Sequence, residues 1–169
     1  MNKEELLNSI FIHYGHRHLD RYKFHPIYNR EVICKPGGGL WASLIEGYNN
    51  WIDWVIKNHF YIEEKYNNKN WFKFKLRPST KILYINNHSQ LQNLPYVERN
   101  NMNTFIYDLF DFIDFEKLSG IYDAVYIQFS ADSILYEKLD AWDCDTLLVF
   151  NIEKVLEIES SDDITCYKY

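Results

Sequence analysis

The stretch FIHYGHRHLD, Phe11 to Asp20, carries three histidines in six positions, and KPGGGLWAS, Lys35 to Ser43, follows it with three consecutive glycines and a tryptophan. The first could be a metal site, a core strand with ordinary histidines, or one wall of a ligand pocket whose floor is the second. The run SIFIHY, Ser9 to Tyr14, is β-prone and stops at Gly15, so it reads as a mostly buried strand. That reading splits the histidines. His13 belongs to the strand, and His16 and His18 belong to the loop beyond it. Zinc needs several N, S or O ligands that converge. His13, His16, His18, Asp20 and His25 do not form such a set, and no second cluster has ligand spacing, so no metal is expected.

Working outward, residues 3–8 read as a short helix and the loop from His16 to Arg30 is broken at Pro26. EVICK, Glu31 to Lys35, reads as a short strand that PGGG ends, after which LWAS resumes an extended path. Three glycines permit either a tight turn or a close backbone approach to a ligand, since no Cβ intrudes. They form neither a Walker loop nor a strand–GxGxxG–helix fingerprint. From Asn49 to Phe60, Trp51, Trp54, Val55 and Asn58 fall at i, i+3, i+4 and i+7, which predicts an amphipathic helix with a tryptophan face.

Trp71–Arg77 alternates apolar and polar residues and Thr80–Asn86 follows Pro78, so both read as strands. Short helices are expected at 87–94 and 132–139, and a longer one over Asn103–Leu118. Strands are expected at Asp123–Ser130, Asp145–Asn151 and Lys154–Glu159. Strands and helices are interspersed. The expectation is a single α+β domain over 1–159, with a mixed, mainly antiparallel sheet and flanking helices, and a frayed tail over 160–169.

The chain has 169 residues and a net charge of −6, which argues against a general nucleic-acid binder. Its 14 Tyr, 11 Phe and 5 Trp supply a large aromatic core and rings for a binding surface. Two basic runs, Lys69–Lys81 and Arg17–Arg30, read as solvated faces. Cys34, Cys144 and Cys166 are odd in number and lack CxxC spacing, which predicts reduced thiols and a cytoplasmic protein. No membrane span and no signal peptide are expected. The abundance of Asn, Lys, Ile, Tyr and Phe is the bias of an AT-rich genome, such as a low-GC bacterium or its phage. Ser43 and Ser130 lack a nucleophile-elbow setting, and Cys34 and Cys144 lack a nucleophile signature.

Taken together, HYG (His13–Gly15), GGGLWAS (Gly37–Ser43), a helix tryptophan at 51 or 54, and WDCDTLLVFNIEKVLEI (Trp142–Ile158) resemble the ADP-ribosyltransferase superfamily in its histidine-bearing, diphtheria-toxin-like branch. Trp41 stands where that branch usually has tyrosine, and the glycine does not follow the histidine directly. Asp143, Asp145 or Thr146 stands where a catalytic glutamate is usual, and Glu137 is the nearest glutamate upstream. The resemblance implies a split β-sheet holding NAD bent in a cleft. His13 would bond the adenosine-side ribose. Tyr14, Gly15, Gly38, Gly39, Leu40, Trp41, Ser43 and Trp51 would complete the cofactor site. Asp145 with His13 would be catalytic, the aspartate stabilising the charge that develops as nicotinamide leaves. The implied activity is mono-ADP-ribosylation of a macromolecule, a protein in preference to a nucleic acid, by a toxin, phage effector or defence-related enzyme. Two alternatives stand beside it: a catalytically silent domain that binds or inhibits a protein partner, and a nucleotide sensor without turnover.

Overall fold

Strand β1 (Phe11–Tyr14) sits near the middle of the architecture, and the rest is laid out on either side of it. The computed structural model describes residues 1–58, 70–98 and 108–161. In chain order the further strands are β2 (Leu40–Leu44), β3 (Trp71–Leu76), β4 (Ile82–Ile85), β5 (Ala124–Ile127), β6 (Thr146–Val149) and β7 (Val155–Ser160). The described helices are α1 (Lys3–Asn8), α2 (Trp51–Lys57), α3 (Phe115–Ser119) and α4 (Ile134–Lys138). The strand order is β4-β5-β6-β2-β1-β3-β7. Only β4 and β5 run parallel; every other neighbour pair is antiparallel. The fold is thus the mixed, mainly antiparallel α+β domain expected.

The sheet is continuous in order but not in pairing. All four residues of β1 pair with β3, yet only Phe11 and Ile12 pair with β2, opposite Leu44 and Ser43. The other end of β2, Leu40 to Ala42, pairs with β6. The two halves of β2 therefore serve two different neighbours, and the sheet splits beside His13 and Tyr14. This split makes room for a cleft.

Hydrophobic alternation explains the two cores. In β5, Val125 and Ile127 enter one buried cluster with Phe129, Leu135, Trp142 and Leu148. Ala124 and Tyr126 enter the opposite cluster with Phe11, Phe72, Phe74 and Leu147. Both faces of β5 and β6 are covered, which is why their sequences are apolar throughout rather than alternating. Beneath the second face, α1 is capped by Asn2, which exchanges bonds with Glu5 in a capping box, and it inserts the fully buried Leu6.

Several expectations shift. No strand forms over Glu31–Lys35; the chain from Gly15 to Gly39 is a long loop with one isolated bridge, Tyr28 to Gly37. The backbone bonds between this loop and the glycine run are made by His25 and Tyr28, and 31–35 pairs with no strand among the described residues. The 88–93 segment is a 3-10 turn. Of the helix expected over 103–118, residues 103–107 lie outside the described residues. Asp108 and Leu109 are helical, the chain then leaves the helix, and α3 begins at Phe115, where the Asp114 carboxylate caps it by accepting from the Lys117 N–H. In α2, Val55 is the buried residue, while Trp51 and Trp54 stack on each other with ring centroids 5.1 Å apart. β7 runs through Ser160, past the expected domain limit, and 162–169 lie outside the described residues.

The glycine run leaves no room for side chains. A Cβ on Gly38 would lie 2.0 Å from the Pro26 carbonyl oxygen, and one on Gly39 would lie 2.5 Å from Leu148 Cδ1. Both residues have φ near +70°, at +75° and +67°. Gly38→Ala and Gly39→Ala should each lower unfolding free energy by about 2–4 kcal/mol, from left-handed strain together with overpacking. Urea denaturation checks this; a loss below 1 kcal/mol at both would contradict the close packing described.

Candidate functional site

His13 bridges the split. Its Nδ1 lies 2.7 Å from the Trp41 carbonyl oxygen, across the gap where β1 no longer pairs with β2. A carbonyl can only accept, so Nδ1 carries the proton and Nε2 is left as an acceptor. His16 Nδ1 is 2.9 Å from that Nε2 and donates to it. Burial lowers the His13 pKa from 6.5 to about 4, the Trp41 bond opposes the shift, and the neighbouring His16 adds to it. The ring is therefore neutral and packs against Phe72, with centroids 5.1 Å apart. Expected as a site residue, His13 does not itself line the cleft; its bond to the Trp41 carbonyl fixes one of the walls from behind. Both ring nitrogens are engaged, so a ribose could reach Nε2 only after His16 swings aside.

The cleft encloses about 460 Å³, within the range of small-molecule sites. Of the residues expected there, Tyr14, Gly15, Gly38, Trp41, Ser43 and Trp51 line it. Ser43 is buried, and its Oγ accepts the Trp51 N–H at 3.0 Å, which ties the start of α2 to β2. Asn50 caps the same helix by accepting the Asp53 N–H. The Trp41 indole Nε1–H donates to the Gly38 carbonyl at 2.9 Å, and its ring packs on Trp142 at 5.0 Å.

Gly39 and Leu40 do not line the cleft. Leu40 is buried in the core with Phe11 and Leu147. Gly39 packs on Leu148 and Ile27 and donates its N–H to the His25 carbonyl at 2.8 Å. The glycine run is bare for the sake of the 25–28 segment. Gly37 and Tyr28 exchange two backbone bonds, and a Gly37 Cβ would collide with the Tyr28 ring. The close approach that three glycines permit is made by the protein's own backbone.

Asp145, the carboxylate expected at the site, lies outside the cleft lining. Just before β6 and at its first residue, Asp143, Cys144 and Thr146 line the cleft and Asp145 does not. Its carboxylate accepts from the Ser130 N–H at 2.8 Å, from the Ser130 hydroxyl, and from Asn49 Nδ2 at 2.9 Å. Asp145 is buried and spent as a brace that joins the 129–131 turn to the loop before α2. Glu137 sits exposed on α4 and does not line the cleft. The carboxylate that does line it belongs to Asp143. Its Oδ2 lies 3.2 Å from Lys35 Nζ, and the same ammonium sits 4.9 Å from the centre of the Trp41 ring.

Sequence reading missed Lys35, Arg30 and Thr146 as cleft residues. Lys35 stood next to the glycine run, and that proximity was the available signal. Thr146 was visible only as an alternative to the expected acid. Among the described residues, Cys34 and Cys144 offer no nucleophile, since burial pushes Cys144 up to about 11 and Cys34 up to about 12. Among the described residues, no group of three or more His, Cys, Asp or Glu could hold a metal ion. His18 bonds Glu157 at 3.0 Å instead.

Two predictions follow from these placements. Neutral His13 means that the unfolded chain binds its proton first. Its contribution is complete above about pH 6.5 and is lost as the pH falls towards 4, by up to about 3 kcal/mol. His13→Gln should remove that component from the stability-versus-pH profile measured by urea unfolding, and an unaltered profile would contradict a buried neutral ring. Asp145→Ala should cost about 2–4 kcal/mol because it strands the Ser130 and Asn49 donors. Asp143→Ala should cost under about 1 kcal/mol, since its ion pair is partly exposed; equal costs would reverse the assignment.

No protein-family model, no curated protein and no solved structure matches this chain.

Proposed function

We propose that the cleft binds NAD and that the protein is a mono-ADP-ribosyltransferase acting on a macromolecule. The observation that carries the reading is the composition of the cleft at the sheet split. Trp41, Trp51 and Tyr14 supply flat apolar faces, Lys35 and Arg30 supply cations, and Asp143 supplies a carboxylate, all on one wall system. An aromatic amide, a diphosphate and a ribose need those three kinds of group. The resemblance of HYG, GGGLWAS and the Trp142–Ile158 segment to the superfamily supports the same reading, as does the split in the sheet.

In this scheme Trp41 and Trp51 stack on the nicotinamide ring. His13 does not touch the reacting atoms; through its bond to the Trp41 carbonyl it sets the position of that indole. Asp143 takes the role expected of Asp145. Its carboxylate offsets the positive charge at the ribose carbon as the glycosidic bond breaks and nicotinamide departs with the bonding electron pair. It then accepts the proton released when the acceptor's nucleophile bonds to that carbon. The net charge of −6 favours a protein acceptor over a nucleic acid. Among the described residues no helix is long and apolar enough to cross a membrane.

One observation favours a second reading, a nucleotide sensor without turnover: among the described residues the only carboxylate lining the cleft is already paired with Lys35. Saturating NAD separates the two. At a hundredfold excess over Kd, binding should raise unfolding free energy by about 2.7 kcal/mol and Tm by about 5–10 °C. Trp41→Ala should abolish that shift. Nicotinamide release that falls at least about a hundredfold in Asp143→Asn, with the Tm shift retained, identifies the enzyme. A Tm shift with no release identifies the sensor. No shift and no release sinks both and leaves a partner-binding domain.

A further inference from the structure

We infer that Lys35 is a latch over the cleft that selects ligands bearing a diphosphate. The inference rests on reading the cleft as a nucleotide site, but it concerns a step that reading does not include. Lys35 makes two contacts at once: its ammonium pairs with the Asp143 carboxylate at 3.2 Å and lies against the face of Trp41 at 4.9 Å. Those are the two groups a nicotinamide nucleotide needs, one as stacking face and one as acid. The ammonium therefore covers the stacking face and holds the carboxylate within an otherwise open cleft.

The contacts that hold it there are weak ones. Both members of the Lys35–Asp143 pair are partly exposed, at 28% and 29%, so water screens the attraction. A diphosphate carries more charge than one carboxylate and accepts several charge-assisted bonds from one ammonium. Arg30 lines the same cleft, exposed, and presents a second cation. A ligand with a diphosphate draws Lys35 off Trp41 and Asp143, and so uncovers the stacking face and frees the acid in one movement. A ligand with the ring alone has no means of drawing the ammonium away and must compete with it for the indole. Selectivity then comes from a lysine whose pairing changes when the ligand arrives, rather than from a preformed phosphate pocket.

The latch has a direct signature. An ammonium over an indole places the Lys35 ε-CH2 in the ring current of Trp41, so its resonance should be displaced upfield in protein labelled with 13C-lysine. Loss of the signal in Lys35→Met assigns it. Saturating ADP, used as a diphosphate without nicotinamide, should return the signal to the ordinary lysine position. ADP affinity should fall at least tenfold in Lys35→Met and rise in Asp143→Asn, where the competing pair is gone. Nicotinamide alone should bind Lys35→Met more tightly than the parent. ADP that fails to bind the parent, that binds without moving the Lys35 signal, or that binds Lys35→Met equally well overturns the latch. If ADP opens the latch but NAD is neither bound nor cleaved, the latch stands and the transferase reading fails. If NAD is cleaved at the same rate by Lys35→Met, the transferase stands and the latch fails.

Discussion

The hydrogen bond from His13 Nδ1 to the Trp41 carbonyl spans a gap where backbone pairing has stopped. Beyond Ile12, β1 follows β3 alone, and β2 has turned to β6. Without a bridge the two walls of the split would be held only at its closed end. An imidazole is the side chain suited to this place. It reaches a carbonyl that a backbone N–H can no longer reach, and it can be neutral while buried. Its second nitrogen accepts a hydrogen bond from the His16 Nδ1–H, which leaves the partly buried ring fully satisfied. The position of Trp41, and with it the Lys35 contact and the packing on Trp142, depends on that bond.

The cleft is built by parts that were recruited for packing. The glycine run is shaped by the 25–28 backbone and by Leu148, and only Gly37 and Gly38 of its three members reach the cleft. Ser43 uses its hydroxyl to start α2, and this brings Trp51 to the cleft beside Tyr14. Stability and binding thus share residues. A substitution at Ser43 disturbs the helix start before it touches any ligand, whereas Lys35 and Asp143 sit in partly exposed positions where chemistry can change at little structural cost.

The functional reading separates two carboxylates that lie two positions apart. Asp143 and Asp145 flank Cys144 in sequence and look equivalent there. In the fold, one lines the cleft beside a lysine and the other is buried against Ser130 and Asn49. Alternation alone would put residues two apart on the same side; the chain bends at Cys144 and Asp145 before β6 begins, and Asp145 is drawn onto Ser130 and Asn49 while Asp143 stays at the cleft. The residue nearest the apolar run is the one turned away from the cleft.

What the sequence determined by itself was local. The β-prone run ending at Gly15, the alternation over Trp71–Leu76, the apolar runs of β5 and β6 and the asparagine cap before Trp51 carry their causes in neighbouring residues, and each appears close to where periodicity placed it. The glycine after Tyr14 was enough to put His13 in the strand and His16 and His18 in the loop, but the fold brings His16 back onto the His13 ring. The strand read at Glu31–Lys35 failed because its backbone found no neighbouring edge, which no local pattern reveals. The tertiary structure alone decided that the glycines accommodate the 25–28 chain, that His13 bonds a carbonyl 28 residues away, and that Lys35 meets Asp143 across 108 residues. Those contacts depend on strand order and on where the sheet splits. The physical reason is that side-chain periodicity records which face of an element is buried, and does not record which other element covers it.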